Sequence, residues 1–156
     1  PTERKITSGD LLIVDWGARS NGYISDITRT FVIGFIQAEL KNLFQIVEKA
    51  NQDARKISKK GVTSHQVDEA ARKVISKAGY GKFFIHRTGH GIGLEPHEKP
   101  YIQEGNQTRI DDGMVFTIEP GIYLPGKGGV RIEDNLVIEN SQAITITSLP
   151  RELKIL

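Results

Sequence analysis

Residues 15–30 read DWGARSNGYISDITRT and carry two aspartates that a strand pair would bring together. LLIVDWG on one side and YISDITRTFVIG on the other are rich in β-branched and aromatic residues, and ARSNG between them has turn chemistry, so the segment reads as a β-hairpin. The loop sets the relation of the acids. With Ser20-Asn21 as a two-residue loop, or Arg19 to Gly22 as a four-residue one, Asp15 lies directly opposite Asp26. With Asn21-Gly22 as the loop they are diagonal neighbours on the same face, because strand side chains alternate with period two. Directly opposed residues have Cβ atoms roughly 4.5–5.5 Å apart. Two carboxylates that close repel unless a cation or a proton lies between them. A metal site is the functional reading; one turn aspartate and one solvated one is the bland reading.

Downstream, Gln37 to Lys60 carries Leu40, Leu43, Phe44, Val47, Ala50, Ala54 and Ile57 at helical spacing, which predicts a long amphipathic helix ended by Gly61. Thr63 with Gln66 forms a capping-box pattern opening a second helix, whose stripe is Val67, Ala70, Ala71, Val74 and Ile75 and which Gly79 closes. The charged residues of both helices are expected on the solvent side, and His65 in the first turn of the second is expected to be solvated. The segment GYGKFFIHRTGHGIGLEPHEKP that follows holds His86, His90 and His97 within twelve residues. Its glycines each cost a helix roughly 1 kcal/mol, so an extended or looping strand is predicted. GHGIG has no apolar-periodic helix after it, which leaves a phosphate-loop reading weak.

MVFTIE and VRIEDNLVI, joined by PGIYLPGKGG, predict a further hairpin. Here the chain repeats itself. Gly9, Asp15 and Gly17 form a G-x5-acid-x-G frame over GDLLIVDWG, and Gly113, Glu119 and Gly121 form the same frame over GMVFTIEPG. Each copy has a second acid on the partner strand, Asp26 in one and Glu133 in the other. Two related acid-bearing hairpins imply an internally duplicated domain with a site between its halves. The expected fold is α+β, a curved and mainly antiparallel sheet with both helices on its outer face and the acids converging on its inner face. SLPRELKIL remains as a short tail.

Asp15 follows Leu-Leu-Ile-Val and Glu119 follows Val-Phe-Thr-Ile, and an unpaired charge on a buried strand costs several kcal/mol. No cluster of Lys or Arg is evident to pair with them. Four carboxylates and one neutral histidine would balance two divalent cations. Metals about 3.5–4 Å apart can share bridging carboxylates, hold a water as hydroxide and polarise a carbonyl. The oxygen-rich set with one imidazole points first to Mn²⁺, with Co²⁺, Fe²⁺ and Zn²⁺ as alternates. Composition narrows the rest. The 156 residues, 38% hydrophobic and 26% charged, suit one globular domain, and a net charge of +2 without a basic stripe gives no reason to expect nucleic acid. The absence of cysteine excludes disulfides, thiolate catalysis and cysteine zinc sites, and suits a reducing cytoplasm. No apolar run is long enough for a membrane span. The chain begins at Pro1, and PTERKITSGD enters the first strand within about ten residues, which reads as a truncated or processed start.

VDWGA, SDITRT, TGHGIGLEPHE, FTIEPGIY, GVRIEDN and the terminal PREL together resemble the Xaa-Pro peptidases, prolidase and aminopeptidase P, of the pita-bread metallopeptidases. The resemblance covers nearly the whole chain. It implies the metal ligands Asp15, Asp26, His90, Glu119 and Glu133, in that order. Asp26 and Glu133 would bridge, Asp15 would chelate one metal, and His90 with Glu119 would hold the other. It further implies that a bridging hydroxide attacks the carbonyl before proline while Glu119 exchanges its proton, that His97 contacts substrate at the scissile amide, and that His86 lines the site. Arg131 would orient substrate, and Thr28 would support a ligand. The implied substrates are short proline-containing peptides, and the implied full-length assembly is a homodimer. By the same resemblance a further histidine and an amino-terminal domain would precede Pro1. Residues 1–156 are therefore expected to be the later part of a metallopeptidase catalytic domain and to be a poor catalyst alone. Methionine aminopeptidases are the nearest enzyme rival; a pita-bread binding module that has lost its metal is the rival from another class.

Overall fold

The computed structural model describes residues 3–156; Pro1 and Thr2, on which the reading of a truncated start falls, lie outside the described residues. The hairpin around residues 15–30 is β1 (Leu11–Ser20) and β2 (Tyr23–Val32). Asn21 and Gly22 form its two-residue loop with φ of 49° and 89°. Both central residues of such a turn need the left-handed region, which the Asn-Gly dipeptide adopts at low cost. This loop fixes the register: Asp15 faces Thr28 and Asp26 faces Gly17, so the two aspartates are diagonal on one face.

Two helices follow, α1 (Ala38–Ile57) and α2 (Ser64–Lys77). Leu40, Leu43, Phe44, Val47, Val67, Ala71 and Ile75 are buried, as the apolar stripes require. The capping box that opens α2 forms in full: the Gln66 amide donates to Thr63 Oγ1 at 3.2 Å, and the Thr63 amide donates to Gln66 Oε1 at 2.9 Å. Thr63→Ala removes the side-chain acceptor for a helix N-terminal N–H, and should cost about 1 kcal/mol in urea unfolding with the urea sensitivity unchanged. His65 accepts from the Gly105 amide at 3.1 Å and is not merely solvated. Nor do the polar residues all face water. Asn51 and Asp68 are buried, Asp68 because Arg72 and Thr88 satisfy its carboxylate.

The glycine-rich segment gives two short strands, β3 (Gly89–Gly91) and β4 (Glu98–Ile102). The remaining strands are β5 (Val115–Ile118), β6 (Gly121–Leu124), β7 (Gly128–Arg131), β8 (Asp134–Glu139), β9 (Gln142–Thr145) and β10 (Lys154–Ile155). One sheet runs β4-β3-β5-β8-β9, a second β1-β2-β10, and β6-β7 form a ribbon. All pairings are antiparallel except that of β10 with β2. The tail is thus a structural strand, tied along β2. Buried residues of β5 to β8, among them Phe116, Ile118, Ile122, Ile132 and Leu136, share one core with the apolar faces of α1 and α2. No helix among the described residues is long and apolar enough to cross a membrane.

β5-β6 and β7-β8 are one long hairpin with a gap at the same rung on both sides. Ile118 pairs with Asp134 below the gap and Gly121 with Arg131 above it, so Glu119 stands opposite Glu133 where the ladder is interrupted. The freed backbone groups find other partners, as buried polar groups must. The Glu119 amide donates to Thr88 O at 2.7 Å and the Glu133 amide to Thr28 O at 3.1 Å. Asn51 Nδ2, from α1, donates to Ile118 O and Ile132 O at 3.0 and 3.3 Å. The gap therefore ties the second hairpin to the His90 strand on one side and to the Asp26 strand on the other. Gly9 and Gly113, equivalent in the repeated frame, also share a positive φ, 96° and 82°.

Candidate metal centre

β1, β2, β3 and the ladder gap bring Asp15, Asp26, His90, Glu119 and Glu133 together. Three sets of ligand atoms lie within 4.8 Å of one another: Asp15, Asp26 and Glu133; His90, Glu119 and Glu133; and Asp26, His90 and His97. Glu133 belongs to the first two, and Asp26 reaches both the aspartate side and the histidine side. His90 and Glu133 are nearly fully buried, Asp26 and Glu119 are 22% and 16% exposed, and Asp15 is 47% exposed. Asp15 is thus not on a buried strand, as the run Leu-Leu-Ile-Val suggested, because β1 is the edge of its sheet. It also has a cationic partner: Arg131, from the second hairpin, donates to Asp15 Oδ2.

β3 reaches the centre through close backbone approach. A Cβ on Gly89 would stand 1.9 Å from Thr117 O and one on Gly91 2.2 Å from Lys99 O, so only glycines let β3 lie between β4 and β5 there. His90 Nδ1 lies 3.0 Å from Gly91 O. A carbonyl only accepts, so Nδ1–H donates to it and the ring turns Nε2 toward Glu119 Oε1, 3.2 Å away. Glu133 Oε2 accepts from Thr28 Oγ1 at 2.6 Å, while Oε1 is buried with no hydrogen-bond partner. Burial, reinforced by the charges of Glu119 and Asp26, pushes the Glu133 carboxyl up to about 9. Burial and the Asp15 charge push Asp26 up to about 6. An unpartnered buried carboxyl oxygen, a histidine nitrogen turned toward a second carboxylate and two carboxyls that resist ionisation all ask for positive charge at one point. The donor set fits divalent cations.

Thr28 supports Glu133 rather than its strand neighbour Asp26. Thr117, two residues before Glu119, accepts from the His90 amide at 3.1 Å and donates to Glu119 Oε1 at 3.3 Å. The sequence reading missed Thr117, although period two on β5 places it on the face of Glu119. It also missed Tyr123. His86 Nδ1 lies 2.8 Å from Arg87 O and so carries the proton, leaving Nε2 to accept from Tyr123 Oη at 2.9 Å. Tyr123 Oη in turn accepts from Arg131 Nη1 at 2.9 Å. Burial lowers the His86 pKa, in keeping with a neutral ring. His86, Arg131 and Asp15, linked in a chain through Tyr123, line an open cleft of about 460 Å³ together with Arg87, His97, Gln103 and Glu119. His97 is exposed at its mouth, its ring edge-on to His90 with centroids 4.2 Å apart.

The sequence model of metallopeptidase family M24 matches residues 1–140. The chain belongs to that family. A relative from Pyrococcus furiosus named Xaa-Pro dipeptidase is 45% identical over 152 residues, which is 97% of this chain and 44% of the relative. The crystal structure of a dipeptidase from Pyrococcus horikoshii superposes with a TM-score of 0.98 at 51% identity, over 100% of this chain and 44% of that one. The structure of an X-Pro aminopeptidase from Thermotoga maritima gives 0.95 at 42% identity, over 99% and 42%. Aminopeptidase P of Escherichia coli, 23% identical with a TM-score of 0.85, shares the fold. These matches bear out the pita-bread architecture and the M24 resemblance. The M24 chain described here spans less than half the length of the relatives it matches.

Proposed function

We propose that this chain carries the metal centre of an enzyme that hydrolyses the Xaa-Pro bond of dipeptides or short peptides. The observation that carries the proposal is the convergence of Asp15, Asp26 and Glu133, and of His90, Glu119 and Glu133, to within 4.8 Å around the unpartnered Glu133 Oε1. In this reading Asp15, Asp26 and Glu133 hold one divalent cation and His90, Glu119 and Glu133 the other, with Asp26 and Glu133 shared. Mn²⁺ suits these ligands first, and Co²⁺, Fe²⁺ or Zn²⁺ next. Bound there, the pair would supply Lewis acidity and a water acidified to near neutrality.

The choice of the Xaa-Pro bond rests on the likeness to Xaa-Pro dipeptidases, and the chain's own groups supply the proton transfers that breaking it requires. An Xaa-Pro amide nitrogen is tertiary and has no N–H, so it must take a proton as its bond to the carbonyl carbon breaks and proline leaves as a secondary amine. Glu119, partly open to the cleft, would take a proton from the water that adds to the carbonyl and return it to that nitrogen. His97 at the mouth would contact the scissile amide. His86, whose pKa burial lowers, and Arg131 would orient the ends of the peptide. Short proline-containing peptides are the proposed substrates, with a cytoplasmic homodimer as the proposed working form and residues 1–156 as part of its catalytic domain.

The test is release of proline from Ala-Pro and of alanine from Ala-Pro-Ala by the full-length protein with Mn²⁺, with Met-Ala as control. Cleavage of either proline peptide, abolished by a chelator, is expected. Cleavage of Met-Ala alone would move the assignment to methionine aminopeptidase, and silence toward all three with metal bound would favour a binding module.

A further inference from the structure

Arg29 is 3% exposed on β2, three residues after Asp26, and all five of its N–H groups are used. Nε donates to Pro150 O at 2.9 Å, and Nη1 to Thr28 O at 2.9 Å and Glu133 O at 2.6 Å. Nη2 donates to Asp134 Oδ1 at 2.9 Å and Leu149 O at 2.7 Å. Arg151 Nε holds the other Asp134 oxygen at 2.7 Å. One guanidinium thus ties together β2, the start of β8 and the tail. Glu133 lies in the ladder gap, so its carbonyl has no strand partner and Arg29 supplies the donor.

We propose that Arg29 is a positioning residue, which with the tail sets the separation between Asp26 and Glu133 and so the cation site they share with Asp15. The inference rests on the metal-centre reading above. The two cation sites differ in what holds them. His90, Glu119 and Glu133 are fixed to one another by the second hairpin itself, by Thr88 and by Asn51. Asp15, Asp26 and Glu133 come from two sheets, and at Glu133 the main chains meet through the Glu133 amide to Thr28 O and the Arg29 fork. Because Asp26 and Glu133 are shared, loosening that junction reaches both sites, but the second keeps His90 and Glu119 fixed on the hairpin, so the site completed by Asp15 is altered more. Lysine has three donors and no fork, so at most three of the five acceptors would be served.

The experiment is Mn²⁺ titration by calorimetry of the full-length protein, Arg29→Lys and Arg151→Gln, with thermal melts of each. In Arg29→Lys one of the two dissociation constants should rise by about 10- to 100-fold and the other, whose His90 and Glu119 stay in place, by a factor several times smaller. Arg151→Gln, which leaves the fork in place, should raise the same constant by a smaller factor. Folded Arg29→Lys with both constants unchanged overturns the proposal, and so do two constants that rise by the same factor, the mark of general loosening. If Arg29→Lys does not fold, unchanged constants in Arg151→Gln overturn it. A parent protein that binds no pair of ions would instead overturn the metal-centre reading, and this inference with it.

Discussion

Glu119→Gln is expected to lower turnover of Ala-Pro by about 10²- to 10⁴-fold, the usual loss when a positioned proton carrier is removed. Glutamine keeps the volume and can still accept from Thr117 Oγ1, which now donates to Glu119 Oε1 at 3.3 Å, so the fold should persist. The substitution removes a charge from the cation cluster as well as the carrier. Turnover must therefore be expressed per bound Mn²⁺, with ion content measured on the same sample. Wild-type turnover per bound pair of ions would take the proton role away from Glu119.

The second expected result concerns stability. Four carboxylates without cations repel, and at a hundred times the dissociation constant a bound ion stabilises by about 2.7 kcal/mol. In a chain of this size that corresponds to a rise in melting temperature of roughly 5–10 °C, reversed by a chelator. The pH dependence has a definite sign. In the metal-free fold the Glu133 carboxyl is pushed up to about 9 and Asp26 up to about 6, both above their values in the unfolded chain. The folded state therefore holds the extra protons, and the stability these groups contribute is full below about pH 4 and lost as pH rises toward about 9. Glu133→Gln imitates the protonated acid at every pH. Relative to the metal-free parent it should melt higher at pH 8 and within a degree or two at pH 4.5. A parent-to-variant difference independent of pH would contradict the raised Glu133 pKa, and a metal-loaded parent that melts like the free one would contradict the cation site.

The parts legible in the sequence were those fixed by local periodicity and turn chemistry. The α1 and α2 stripes, the Thr63 to Gln66 box and the Asn21-Gly22 turn each depend on neighbours a few residues away, and each formed. Asp15, Asp26, His90, Glu119 and Glu133 converge because two acid-bearing hairpins face one glycine-flanked histidine. What stayed hidden depends on contacts across the fold. Arg131 reaches Asp15 from 116 residues away, and the register of both hairpins had to be settled before that pair was visible. Tyr123 read as a link residue until β6 and β7 turned its hydroxyl toward His86. Asp68 and Asn51 looked like polar positions on a solvated helix face, because nothing local announces that Thr88 or an interrupted ladder will claim them.

The shared gap at Glu119 and Glu133 and the tight turn at Asn21-Gly22 give the site a rule of parity. One residue inserted into a strand between a turn and an acid reverses the face of that acid, whereas a residue added at the tip lengthens only a loop, at a small entropic cost. Length changes among descendants of this sequence should thus gather at Asn21-Gly22 and at Pro125 to Lys127, where they leave the pairing of both hairpins intact. Strand insertions that survive should come in twos. Length, as much as residue identity, is what keeps these acids inherited as pairs.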